Sequence, residues 1–247
     1  MTRREQHIFD LNKSDNWINY LKKHSGLPGK RANLELLDVV IEFGDEQLYM
    51  ECLKYNEVIA PTNTQGEYVA MCGVAGLGKL FNEGDYKYYS LLKKYTNDTR
   101  WRVREGVVFA LQVIGKEDFD VLIKIANELK LGNSYEKRAI VAGLCEPILL
   151  KKIRNAEKAL KILEEITNSI EYISNRKSES FRVLRKGLAY GISVATVACP
   201  DKGKELFETL LKKSDKDIKW ILKENLKKKR LEKMDSDWTG KMKNTCV

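Results

Sequence analysis

The chain reads as all-α: short antiparallel helix pairs stacked side by side into a curved solenoid. Three observations predict this. Apolar residues recur at helical spacing almost throughout, without the two-residue alternation of a strand. Turn chemistry interrupts that pattern roughly every 15–25 residues, so neighbouring helices must pack antiparallel. A short residue pattern also returns along the chain.

The breaks include Ser25-Gly26-Leu27-Pro28-Gly29, Gly44-Asp45, Ala60-Pro61-Thr62-Asn63, Gly84-Asp85, Asn97-Asp98-Thr99, Gly115-Lys116, Gly132-Asn133-Ser134, Cys199-Pro200-Asp201 and Ser214-Asp215. Ser14 and Asp15 precede the helix that carries Trp17, Ile18 and Leu21. Pro28 and Pro200 are expected in first turns, where a missing N–H costs nothing. Asp45, Asp85, Asp98 and Asp215 are placed to cap helix N-termini, each contributing about 1 kcal/mol. Pro147 should end or kink its helix.

The repeated pattern is Asp98-Thr99-Arg100-Trp101-Arg102-Val103-Arg104-Glu105, matched by Asp217-Ile218-Lys219-Trp220-Ile221-Leu222-Lys223-Glu224. A third copy runs from Glu179 through Phe181, Arg182, Leu184, Arg185 and Lys186 to Ile192. After Asp98, positions 103, 107, 110, 111 and 114 fall on one apolar face, and Val108 and Phe109 extend it round the helix. A helix apolar on most sides needs neighbours on most sides, and stacking supplies them. Gly106, Ala110, Gly187 and Gly191 are small enough to let a neighbour approach closely.

This pattern resembles the second helix of a HEAT unit. The resemblance covers residues from about 66 to 230; for 1–60, periodicity alone supports helices. It implies a right-handed α-solenoid of about six HEAT-like helix pairs. It also implies that Asp98 with Arg104, Glu179 with Arg185, and Asp217 with Lys223 form a structural ladder between repeats. The repeat domain is expected over residues 1–234, with 235–247 a loose C-terminal tail.

The chain has 247 residues, 43% hydrophobic, enough for a sizeable core. Its 5 cysteines include no Cys-x-x-Cys pair, and both histidines, His7 and His24, stand apart from them. Free thiols in a reducing compartment and no metal site are the expectation. No apolar run reaches the length of a bilayer span, and the N-terminal residues lack a signal-peptide core. The cytoplasm is the expected location.

Catalytic signatures are sparse. Gly73-Val74-Ala75-Gly76-Leu77-Gly78-Lys79 is followed by Leu80 and lies in helical sequence, unlike a phosphate loop. Glu117, Asp118 and Asp120 read as helix-start acids, and no Gly-x-Ser-x-Gly elbow occurs. No nucleophile, base or cofactor site is therefore assigned.

Charge is the more informative signal. The net charge is +9, yet residues 1–149 carry 20 Lys+Arg against 21 Asp+Glu, and residues 150–247 carry 24 against 14. Arg100, Trp101, Arg102 and Arg104, then Arg182, Arg185 and Lys186, then Lys219, Trp220 and Lys223, occupy corresponding turns of the repeat. Aligned on one face, they would contact a protein or track a phosphate backbone with aromatic stacking. The bland alternative makes them ladder and packing residues. HEAT-like alkylpurine DNA glycosylases are a remoter resemblance in architecture, length and charge, although their Trp-Asp-x-x-Asp segment does not occur here. The sequence therefore points to a non-enzymatic binding scaffold for a protein partner. The alternative is a DNA- or RNA-binding protein of the alkylation-repair type, using a basic concave face.

Overall fold

A computed structural model of the protein describes residues 1–84 and 86–245. All regular structure among them is helical, and no strand occurs. The chain forms two compact units, dividing after Glu117.

The first unit contains α1 (Arg3–Asn12), α2 (Trp17–His24), α3 (Leu34–Phe43), α4 (Glu46–Leu53), α5 (Gln65–Asn82), α6 (Tyr88–Tyr95) and α7 (Trp101–Glu117). Its hub is α5, packed against α2, α3, α4, α6 and α7. Fourteen of its 18 residues are buried. That enclosure explains the glycines that superficially resemble a phosphate loop. A Cβ on Gly76 would lie 2.3 Å from the Tyr49 ring, and one on Gly78 would lie 2.5 Å from the Ala110 carbonyl oxygen. A helix-interior glycine costs roughly 0.5–1 kcal/mol relative to alanine, and close packing of α4 and α7 offsets it. Tyr49 is fully buried, and its hydroxyl donates to the Val40 and Ile41 carbonyls.

On α7 the apolar face behaves as its spacing predicts: Val103, Val107, Ala110, Leu111 and Ile114 are all buried. Gly106 meets the Met71 carbonyl as closely as expected. The break anticipated at Gly115-Lys116 is absent, and α7 runs through it to Glu117. One glycine within an otherwise apolar helical run is too weak a stop signal.

The second unit contains α8 (Phe119–Leu129), α9 (Ser134–Leu144), α10 (Ile153–Asn168), α11 (Glu179–Ala198), α12 (Pro200–Leu211), α13 (Lys216–Leu226), α14 (Lys229–Met234) and α15 (Ser236–Thr245). It has two layers, with α8, α10 and α12 in one and α9, α11 and α13 in the other. Asn225 fixes the register of α13 on α11. Its buried amide accepts from the Ser193 N–H at 2.9 Å and donates to the Leu188 carbonyl at 3.0 Å. Gly191 approaches Cys145 closely, whereas Gly187 leaves room for a methyl group.

Asp45 and Asp215 cap α4 and α13, and Asp118 caps α8. Asp98 accepts from the Arg100 N–H at the entrance to α7. Asp85 lies outside the described residues. Asn16, rather than Ser14 or Asp15, caps α2. Pro200 opens α12, but Pro28 stands in the loop before α3. The helix preceding Pro147 ends at Leu144.

The loose tail expected from residue 235 is also corrected. Asp235 accepts from the Trp238 N–H, and α15 packs on α13 and α14 with Thr239 and Met242 buried. Trp238 meets Phe207 edge-on at 5.3 Å. The i, i+4 pair Trp238 and Met242 carries the signal, but ten mostly polar residues dilute it.

Gly76→Ala should lower unfolding stability by about 1–3 kcal/mol through overpacking against Tyr49. Urea denaturation followed by circular dichroism checks it.

Candidate functional site

The sequence-derived cations divide into two groups. Arg100, Arg102 and Arg104 are buried, at 2%, 3% and 5% exposure. Arg100 grips the Asp98 carboxylate with Nε and Nη2, each at 2.9 Å, and Nη1 donates to the Tyr55 and Ala60 carbonyls. Arg102 pairs with the fully buried Glu67 at 3.1 Å and donates to the Gly29 carbonyl at 2.8 Å. Arg104 donates to the Asp98 and Thr99 carbonyls. As candidate partner contacts these three arginines are corrected. They bond backbone carbonyls of the loops before α3, α5 and α7, where an unpaired buried oxygen would be costly. Trp101, by contrast, is 46% exposed, with the Arg102 guanidinium 4.4 Å from its ring centre.

In the second unit the corresponding cations face outward. Arg182 and Lys186 are exposed one helical turn apart on α11, and Lys219 and Lys223 are exposed one turn apart on α13. None of the four takes part in an ion pair among the described residues. Tyr190, 52% exposed, continues the α11 row one turn beyond Lys186. Arg230 lies 4.3 Å from its ring centre and Lys228 lies 5.8 Å from it.

Arg185 and Asp217, from different copies of the pattern, meet at 2.5 Å across α11 and α13, and Arg176 reaches Asp217 at 3.0 Å. Arg185 also lies 4.3 Å from the centre of the Trp220 ring. Between copies of the pattern, where the ladder is expected, Arg185 with Asp217 is the ion pair described. Asp98 holds Arg100 by its carboxylate and Arg104 by its carbonyl, and Lys223 faces outward rather than toward Asp217. Glu179 is exposed at the first turn of α11. Partial burial works to raise the Asp215 pKa, but Arg176 and the Ile218 and Asp217 amides outweigh it and hold it below its ordinary value.

Sequence reading missed a polar cluster that joins both histidines. His7 Nδ1 lies 2.9 Å from the Tyr20 hydroxyl, which donates to Asp10, and Asn33 approaches His7 Nε2 at 3.3 Å. His24 stacks on Tyr20 at 4.2 Å. Burial, reinforced by Asp10, pushes Tyr20 up to about 12; burial and neighbouring His7 push His24 below its ordinary value. These groups are occupied with one another and tie α1 to α2 and the start of α3. Sixteen residues of chain between the two histidines hid the pairing.

Cys52, Cys72, Cys145 and Cys199 are buried, and burial pushes Cys52 and Cys145 up to about 12. Thiols so shifted are poor nucleophiles. Among the described residues no group of three or more His, Cys, Asp or Glu side chains is placed to hold a metal ion. None of the described helices is long and apolar enough to cross a membrane.

No known family, curated protein or solved structure matches this chain. The chemistry available is thus that of its own surfaces: an outward basic face with an aromatic in the second unit, and a half-exposed tryptophan in the first.

Glu67→Ala leaves the buried Arg102 unpaired and should cost about 3–5 kcal/mol; Lys223→Ala should change stability by no more than about 0.5 kcal/mol. Chemical denaturation of both variants checks the contrast. The folded Asp215 carboxyl releases its proton at lower pH than the unfolded one. Its stabilisation is therefore present above the ordinary value of 3.8 and lost as pH falls through the lower folded value. Stability measured below that ordinary value should fall less steeply in Asp215→Asn than in the unsubstituted protein.

Proposed function

We propose that the protein is a non-enzymatic binding scaffold, a HEAT-like right-handed α-solenoid of about six helix pairs, whose second unit engages a nucleic-acid backbone. The observation that carries this reading is the pair of outward cation rows, Arg182 with Lys186 and Lys219 with Lys223, free of ion pairs among the described residues. Phosphates set along a strand suit rows of cations one helical turn apart on adjacent helices. From Asp118 onward the chain carries 28 Lys+Arg against 19 Asp+Glu, which favours accumulation of a polyanion. Tyr190, beside Lys186, offers a ring face for a base or sugar.

The scaffold reading also admits a protein partner. Its supporting observation lies in the first unit, where Leu34 and Trp101 are 48% and 46% exposed. Buried thiols and the absence of a Trp-Asp-x-x-Asp segment argue against carrying a glycosylase activity over.

Fluorescence anisotropy with labelled duplex DNA over a salt series tests the nucleic-acid reading. Affinity should fall steeply with salt. Lys186→Ala and Lys223→Ala should each weaken binding to all sequences and reduce the salt slope by about 1. No binding at low salt, or binding indifferent to both substitutions, would remove it.

A further inference from the structure

On the first unit, Leu34, Met71, Trp101 and Phe109 wall an open cleft of about 280 Å³. Of these, Leu34 and Trp101 are left half-exposed together, which marks a contact surface rather than an ordinary solvated one. Small-molecule sites usually enclose about 300–1,000 Å³. This cleft falls just below that range and is open, so it suits one large side chain of a partner rather than a whole ligand.

The polar lining fixes the partner's charge. Lys30 and Arg31 stand exposed at the rim, in no ion pair among the described residues. Arg102 also lines the cleft, but it is buried and its charge is balanced by Glu67. Glu105 is the one acid in the lining. An incoming carboxylate would find the two exposed rim cations, Lys30 and Arg31, against one acid.

We propose that this cleft anchors a leucine, phenylalanine or tryptophan side chain of an acidic peptide segment in a protein partner. The anchor packs on Trp101 and Leu34, while flanking aspartates or glutamates face Lys30 and Arg31. A buried aromatic wall with charged flanks is the usual make-up of an energetically dominant contact. The inference rests on the protein-partner reading of the first unit and is independent of nucleic-acid binding by the second.

The test uses the full chain and short fluorescein-labelled peptides with one Leu, Phe or Trp between aspartates. Matched peptides carry lysine flanks or an alanine anchor. Anisotropy should show binding of at least one acidic peptide and none of the lysine-flanked or alanine-anchored ones. Trp101→Ala and Arg31→Glu should each weaken that binding at least about tenfold, with helical circular dichroism retained. Arg31→Glu, at an exposed loop position, guards against misfolding of the tryptophan variant.

Binding lost in Trp101→Ala but indifferent to flank charge would overturn the acidic specificity and leave the protein-partner reading standing. Displacement of the acidic peptides by single-stranded oligonucleotide in the unsubstituted protein and in Lys186→Ala alike would assign the cleft to a nucleotide instead. Failure of all three acidic peptides to bind would sink this inference; failure of every peptide, whatever its flanks, would sink the reading beneath it as well.

Discussion

Enclosure of the inner helices governs this protein. Helix α5 is surrounded by five others, so it carries glycine wherever a neighbour's backbone or ring comes near, and the loops feeding it are drawn inward. Loops drawn inward bring carbonyls with them, and buried carbonyls need donors. The guanidiniums of Arg100, Arg102 and Arg104 meet that need at Tyr55, Ala60, Gly29, Asp98 and Thr99. Glu67 balances Arg102 and also accepts from the Asn63 N–H, so one carboxylate closes both the loop before α5 and the charge.

The same sequence pattern therefore does different work in the two units. In the first, residues 54–64 form a loop into which Arg100 points, while Arg102 reaches Gly29 in the loop before α3 and Arg104 reaches the Asp98 and Thr99 carbonyls before α7. In the second, α11 and α13 meet through Arg185, Asp217 and Asn225, which leaves Arg182, Lys186, Lys219 and Lys223 to water. A cation's role follows from whether backbone carbonyls lie within its reach. Charge counted along the chain does not distinguish the two cases.

The two candidate surfaces differ in chemistry. Burial disfavours the thiolates of Cys52, Cys72 and Cys145, and the histidine cluster turns its polar groups on one another. What remains outward is either cationic with an aromatic beside it, around Lys186 and Tyr190, or apolar with a cationic rim, around Trp101 and Arg31.

The amino-acid sequence alone determined the helical class, most helix ends and the inward apolar faces, because periodicity, capping side chains and proline act over a few residues. Val103, Leu184 and Leu222 are buried as their spacing requires, and Asp45 and Asp215 cap where their positions indicate. Only tertiary structure decided the division after Glu117, the packing of α15, the meeting of His7 with His24, and the burial of three arginines beside an exposed tryptophan. Those outcomes depend on which loop carbonyls, rings and carboxylates arrive from elsewhere in the chain. Hydrogen bonding and desolvation respond to neighbours in space, and a local pattern of residue types does not contain them.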